Sequence, residues 1–305
     1  MRFLNPMKNW QFQTMMLLCI IVWAMAFPFI KISLEGGLSF INLTIMRFLV
    51  VCITFLILLF LKNNLFSKLQ KKDILPIFLL GFFGVIVYHL GLNYGEQLVS
   101  PGAASLIIAT IPIFVVILAI LFLKERIGIV KIIGIILGLS GVVIISIWGR
   151  ENTTLDFRYL LAAFAILMAA IMGSVYTIAG KKLLTRYNAL SLTVYAMLLG
   201  SIGLLPFVLF SSNLFQQISN MSLTVWGAVI FLGLFSTVIG YIIWYIALEI
   251  KAASDISVYL YAIPVLSTII SYFLFEDQIT YFFIIGGILV ILGLALVNKK
   301  NMAKN

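Results

Sequence analysis

The chain has 305 residues, of which 63% are hydrophobic and only 10% charged, with a mean hydropathy of +1.20. Soluble domains carry about 25% charged residues, so a water-soluble fold is excluded. Each crossing of roughly 30 Å of hydrocarbon takes about 20 apolar residues, which leaves no length for a sizeable extramembrane domain, and the net charge of +10 is first to be read as a topology signal rather than as a mark of nucleic acid.

In chain order, the apolar runs predict ten membrane-spanning helices, over residues 13–32, 40–61, 74–95, 102–123, 127–148, 159–179, 189–210, 223–248, 255–275 and 281–297. Short polar stretches divide them, among them Glu35-Gly36-Gly37, Lys124-Glu125-Arg126 and residues 150–158. Lipid leaves no backbone group unpaired, so such runs must be helices. A transmembrane barrel would show short alternating strands instead. The first run follows Arg2 and Lys8, lacks a small-x-small cleavage site and is interrupted by Trp23 and Pro28. It reads as a retained span, not a signal peptide. Cys19 and Cys52 both lie inside apolar runs and supply neither a disulfide framework nor metal spacing.

With the N-terminus placed in the cytoplasm, all but four of the 20 Lys and Arg fall in inside segments. The exceptions are Arg150 and Arg158 in an outside connection, Lys31 at an outer helix end and Arg47 within the second span. That asymmetry orients the chain in a cytoplasmic (plasma) membrane with both termini cytoplasmic. The basic segments then rest on anionic lipid.

An internal repeat emerges on shifting the chain by 152 residues. Leu80-Gly81-Phe82-Phe83 falls on Leu232-Gly233-Leu234-Phe235, Ile111-Pro112 on Ile263-Pro264, Glu125-Arg126-Ile127 on Asp277-Gln278-Ile279, and Gly134 and Gly141 on Gly286 and Gly293. Nearer the start a shift of 149 pairs Leu43-Thr44 with Leu192-Thr193 and Phe27 with Tyr176. The expected fold class is therefore all-α integral membrane, with two five-helix repeats over 1–149 and 150–305. Five is odd, so the second repeat enters the membrane from the opposite side, an inverted arrangement found in many secondary transporters.

Trp23-Ala24-Met25-Ala26-Phe27 with Lys31, Arg47-Phe48, the Pro112-containing fourth span, Leu123-Lys124-Glu125-Arg126 and the glycine-rich fifth span together resemble the EamA family of the drug/metabolite transporter superfamily. The resemblance covers nearly the whole chain, although the family commonly has Gly where Ala24 stands. It implies ten helices, a central cavity between the halves, and export or exchange of small metabolites, often amino acids.

Pro112 and Pro264 lie near the middle of their spans and free the carbonyls of Ile108 and Leu260, which can line a path or serve a packing kink. His89 and Asn93 share a helical face, as do their repeat mates Tyr241 and Tyr245, with Trp244 adjoining. Ser257, Tyr261 and Pro264 follow at i, i+4, i+7. The inverted topology places His89 in the outer third and Tyr241 in the inner third, as two vestibules of one path. The candidate path residues are thus Trp23, His89, Asn93, Pro112, Tyr176, Tyr241, Trp244, Tyr245, Ser257, Tyr261 and Pro264, against the plainer reading of interhelical hydrogen bonding and interfacial anchoring. Arg47 is expected to snorkel or to pair with Glu96 or Glu35. Gly134-x-x-x-Gly138 with Gly141 allows close helix approach, inside the bundle in preference to a homodimer.

No catalytic or metal constellation forms: one histidine cannot make a His-x-x-x-His site, and no Gly-x-Ser-x-Gly run exists. No cofactor and no nucleic acid is expected. Charged rings for a pore are absent, and phosphorylated substrates would want more basic groups than Lys31 and Arg47. The sequence therefore points to a secondary transporter that exports or exchanges a small, amino acid-like metabolite by alternating access, with other organic solutes or cationic and amphipathic drugs as the alternative. Its partners are that metabolite and membrane lipid.

Overall fold

The computed structural model describes residues 7–148, 157–211, 213–275 and 281–298. Among them only helices and short connections occur. Eight helices are long and apolar enough to cross a membrane: α1 (Asn9–Glu35), α2 (Phe40–Leu61), α3 (Lys71–Glu96), α4 (Pro101–Leu123), α6 (Leu160–Leu183), α7 (Ala189–Leu209), α8 (Leu223–Ile250) and α9 (Ala253–Leu274). Two further apolar helices, α5 (Ile129–Trp148) and α10 (Tyr281–Asn298), complete the bundle. Several run past the hydropathic boundaries, because the polar residues that end an apolar run still extend the backbone helix. The joint between the expected repeats and the acidic turn Glu276-Asp277-Gln278 lie outside the described residues.

The helix starts follow from local chemistry. The side chains of Ser39, Ser100, Asn188 and Ser222 accept backbone N–H groups at the first turns of α2, α4, α7 and α8. Each satisfies a donor that helix geometry leaves unpaired. Glu125 does the same in trans, accepting from the backbone N–H of Ala253 at 2.9 Å, where a carboxylate also meets the positive end of α9.

One end of the bundle collects the connections α2–α3, α4–α5, α6–α7 and α8–α9. There Asn188 donates to the Leu65 carbonyl at 3.2 Å, Arg186 pairs with Asp73, Lys131 pairs with Asp255 at 2.6 Å, and Glu249 accepts from the Ala189 N–H at 2.6 Å. The opposite end joins α1–α2 to α7–α8 through Gln217, whose Oε1 accepts from Ser39 N and Asn42 Nδ2. Helices therefore alternate in direction, and α1 starts at the basic end whereas α6 finishes there.

The outer surface is apolar, unlike that of a soluble protein, and the mainly apolar interior also buries small hydroxyl side chains. Leu56, Phe60, Leu121, Phe273 and Ile291 face outward, while Ser105, Thr193, Ser267 and Ser271 are fully buried. Between membrane helices, close van der Waals fit at small residues takes over from the hydrophobic drive. Gly200 of α7 lies on the backbone of Gly81 of α3, so close that a Cβ would stand 2.5 Å from a carbonyl carbon. Along α5 and α10 the same happens at Gly293, against the backbone of Gly134 and Gly138. The glycine motif of α5 thus packs inside the chain.

Two helices change gauge at corresponding places. α3 widens to a π-helix over Phe82–Val87 and α8 over Leu232–Ile239. α4 breaks at Ala109-Thr110 just before Pro112, and α9 tightens to a 3₁₀ turn over Val258–Tyr261 just before Pro264. Such irregular turns recur at functional positions in helices.

Candidate functional site

The irregular turns converge on a partly open cavity of about 60 Å³ at the centre of the bundle. Its walls come from α1, α2, α3 and α4 on one side and from α6, α8 and α9 on the other. Of the residues singled out in the sequence, Trp23, His89, Tyr176, Tyr241 and Trp244 line it. Pro112 and Pro264 are buried beside it, and their neighbours Ile111 and Ile263, with Ile108 and Leu260, form part of the wall.

The aromatic groups form one cluster. Trp23 lies 5.6 Å from Tyr241 and 5.2 Å from Trp244 by ring centroids. Tyr176 meets Tyr241 edge-on at 5.4 Å, and the His89 ring is 6.0 Å from Tyr241. His89 and Tyr241 therefore face the same chamber. The expectation of two separate vestibules is corrected: the side chains of α3 and α8 reach into one shared chamber.

His89 is held firmly. Its Nδ1 lies 2.6 Å from the Val85 carbonyl, which can only accept, so Nδ1 carries a proton and donates there. Phe48 and Tyr88 meet the ring edge-on at 5.1 and 4.9 Å.

Four of the singled-out residues stand back from the cavity. Asn93 is fully buried and donates to Thr44 Oγ1 at 2.9 Å, tying α3 to α2. Tyr245 stacks on Tyr176 at 4.8 Å and supports the wall from behind. Ser257 donates to the Ser254 carbonyl at 3.3 Å. Tyr261 packs away from the chamber with Leu106, Ala109, Ile135 and Val290.

Arg47 departs furthest from expectation. Instead of snorkelling or pairing with a glutamate, it is 2% exposed and enters the cavity wall. Its Nε donates to Thr237 Oγ1 at 2.7 Å and its Nη2 to Ser236 Oγ at 3.0 Å, while Nη1 has no partner. The π-helix explains the fit. Thr237 Oγ1 donates back to the Leu232 carbonyl five residues earlier, at 2.8 Å, which turns its lone pairs toward Arg47. Trp23 Nε1 donates to the Ser236 carbonyl at 2.9 Å. Thus α1 and α2 are bolted to α8 at one point.

Lys31, not Arg47, pairs with Glu35, at 3.6 Å. Glu96 is at a helix end, yet it is completely buried, with both carboxyl oxygens lacking a hydrogen-bond partner and the charges of Lys31 and Arg47 acting on it.

Sequence reasoning missed Tyr88, Thr177 and Ser236 as wall residues. The pairing of Arg47 with the adjacent hydroxyls Ser236-Thr237 carried the only available hint, a polar dipeptide inside an apolar span. Among the described residues no group of His, Cys, Asp and Glu could hold a metal ion.

A model of the EamA-like transporter family matches residues 12–147 and again 160–299. An uncharacterized transporter of Archaeoglobus fulgidus is 38% identical over 96% of this chain and 100% of its own length. The uncharacterized transporter YdfC of Bacillus subtilis is 33% identical over 93% of this chain and 91% of its own. The "Probable terminal-alkyne amino-acid exporter" of Streptantibioticus cattleyicolor is 30% identical over 95% and 94%. A solved crystal structure superposes with a TM-score of 0.74 over 95% of this chain and 97% of that one, at 18% identity, a likeness of fold alone.

Proposed function

The chain belongs to the EamA-like transporter family, and from this we propose that it is a secondary carrier that exports or exchanges a small, amino acid-like organic solute across the cytoplasmic membrane. The single observation that carries the reading is the chamber: seven helices share its walls, and they come from both sides of the stretch 149–156. Residues 1–149 and 150–305 are read as inverted five-helix repeats, with α5 and α10 as the fifth and tenth spans. The matched π turns of α3 and α8, and the opposed starting ends of α1 and α6, support that division. A chamber between inverted repeats is opened to alternate sides when one repeat rocks against the other.

Orientation follows from charge. The end that gathers Lys62, Lys71, Lys124, Lys181, Arg186 and Lys251 is read as cytoplasmic, with both termini on that side. The amino acid-like solute is supported by the exporter's name among the relatives and by an apolar, aromatic chamber holding few fixed charges. The transporter names of the relatives favour transport over catalysis.

The test is flux through purified protein in liposomes, with unlabelled solute loaded inside and labelled solute added outside. Saturable uptake with counterflow is expected for a panel of aliphatic and aromatic amino acids. The double variant Tyr241→Ala, Trp244→Ala should lose it by at least about tenfold. Unsaturable flux would make the protein a pore, and a chemically altered solute would make it an enzyme.

A further inference from the structure

Taking the carrier reading above as its premise, we propose that the unpartnered Nη1 of Arg47 is the docking point for a carboxylate on the transported solute, so that a single carboxylate, and not an ammonium group, is the feature the chamber recognises. Three observations carry it. First, a guanidinium has five N–H donors in a planar fork. Thr237 and Ser236 take the Nε and Nη2 sides, and Nη1, in a residue that lines the cavity, is buried with no acceptor of its own. A buried charged donor left open is costly, and a carboxylate oxygen is its strongest natural partner. Second, Arg47 is the only charged residue among those lining the cavity. No carboxylate stands in the wall to receive a solute's cation, and one positive charge matches a monoanion rather than a doubly charged phosphate. Third, the rest of the wall is aromatic. Trp23 is fixed by the same residue, Ser236, that holds the guanidinium, so the dock and the aromatic surface formed with Tyr241 and Trp244 are held in register for an apolar side chain next to a carboxylate.

The two serine and threonine bonds matter mechanistically. They hold the guanidinium plane rigid, so that a carboxylate arriving at Nη1 meets a fixed donor instead of a mobile side chain. Because the bonds cross from α2 to α8, an anion at Nη1 adds charge exactly where the two sides of the chamber are joined.

Two matched ligand series decide the matter in wild-type protein reconstituted in nanodiscs, with binding read by calorimetry and by ligand-dependent thermal shift. The aliphatic series is 4-methylpentanoate, leucine, leucinamide and 3-methylbutylamine. The aromatic series is 3-phenylpropanoate, phenylalanine, phenylalaninamide and phenethylamine. In each, tail size is constant while carboxylate and amine are removed in turn. In at least one series both carboxylates should bind more tightly than the amide and the amine, by about ten- to a hundredfold. Arg47→Gln should abolish that difference, and Arg47→Lys should retain part of it, because a point charge replaces the fork.

Equal binding of carboxylate and amide, stronger binding of the amines, or no binding by any carboxylate probe at tens of millimolar would overturn the proposal. The wild-type series stands even if the arginine variants fail to fold. Saturable flux of a solute without a carboxylate, unaffected by Arg47→Gln, would overturn the dock and leave the carrier standing. Carboxylate binding without saturable flux would do the reverse.

Discussion

His89 shows how one residue's partner decides its role. Its Nδ1 proton is committed to the Val85 carbonyl and its ring is clamped between Phe48 and Tyr88. A ring so held is a fixed donor to the backbone and a wall of the chamber, not a group that swings to pass protons. Replacement His89→Gln should therefore weaken solute affinity modestly, by less than about tenfold, and leave the response to an imposed pH gradient as it was. Uptake into liposomes at several internal and external pH values measures this. Loss of gradient-driven accumulation in the variant would make His89 a proton carrier after all. Its presence in the path could be suspected from the sequence, because a lone histidine facing Asn93 on one helical face is rarely pointed at lipid. Its hydrogen bond could not, since that depends on which carbonyl the helix turns toward it.

At the level of the element, the prolines of α4 and α9 act on the wall. Each stands just beyond a break or a 3₁₀ turn, and the residues four positions before them, Ile108 and Leu260, line the chamber. Pro112→Ala and Pro264→Ala supply the missing N–H and let the helix run straight, which should draw those backbones out of the wall. Each variant is expected to reduce transport several-fold while its melting temperature stays level or rises, because alanine is the better helix former by about 3 kcal/mol. A double variant with normal flux would show that the kinks serve packing alone. These two positions were legible, since a proline at mid-span and its mate 152 residues later announce a break by covalent chemistry. The π turns of α3 and α8 were not. A π turn inserts one residue into a helix without changing composition, and in a run that is apolar on every side no period marks it. The destination of Arg47 was hidden for the same reason. Its acceptors lie 189 and 190 residues away, on the widened turn of α8.

For the whole molecule, the strongest sequence signal was the distribution of charge, and the structure gathers the basic connections at one end of the bundle. The orientation that follows is open to a direct check. Single cysteines at Asn64 and Arg186, on a background without Cys19 and Cys52, should be protected from an impermeant maleimide in intact cells. One at Asn220 should react. The reverse pattern would invert the topology. Positions 152 and 300, which serve the same purpose, lie outside the described residues.

The contact between α5 and α10 takes on meaning once the chamber is assigned to the other helices. Neither helix lines the cavity, and they meet backbone to backbone at Gly293 and Gly138, with Ile135 and Val290 packed beside that contact. On the carrier reading proposed above, a seam of that kind is expected to act as the pivot of a pair of tongs: the jaws travel and the rivet does not. Spin labels at the lipid-facing positions Ile136 and Leu292 across the seam should therefore keep their separation when solute is added. Labels at Ile74 and Ile250, on helices that do line the chamber, should move apart or together. If the seam shifted as much as the jaws, the two sides would be sliding past each other instead of turning about a common edge.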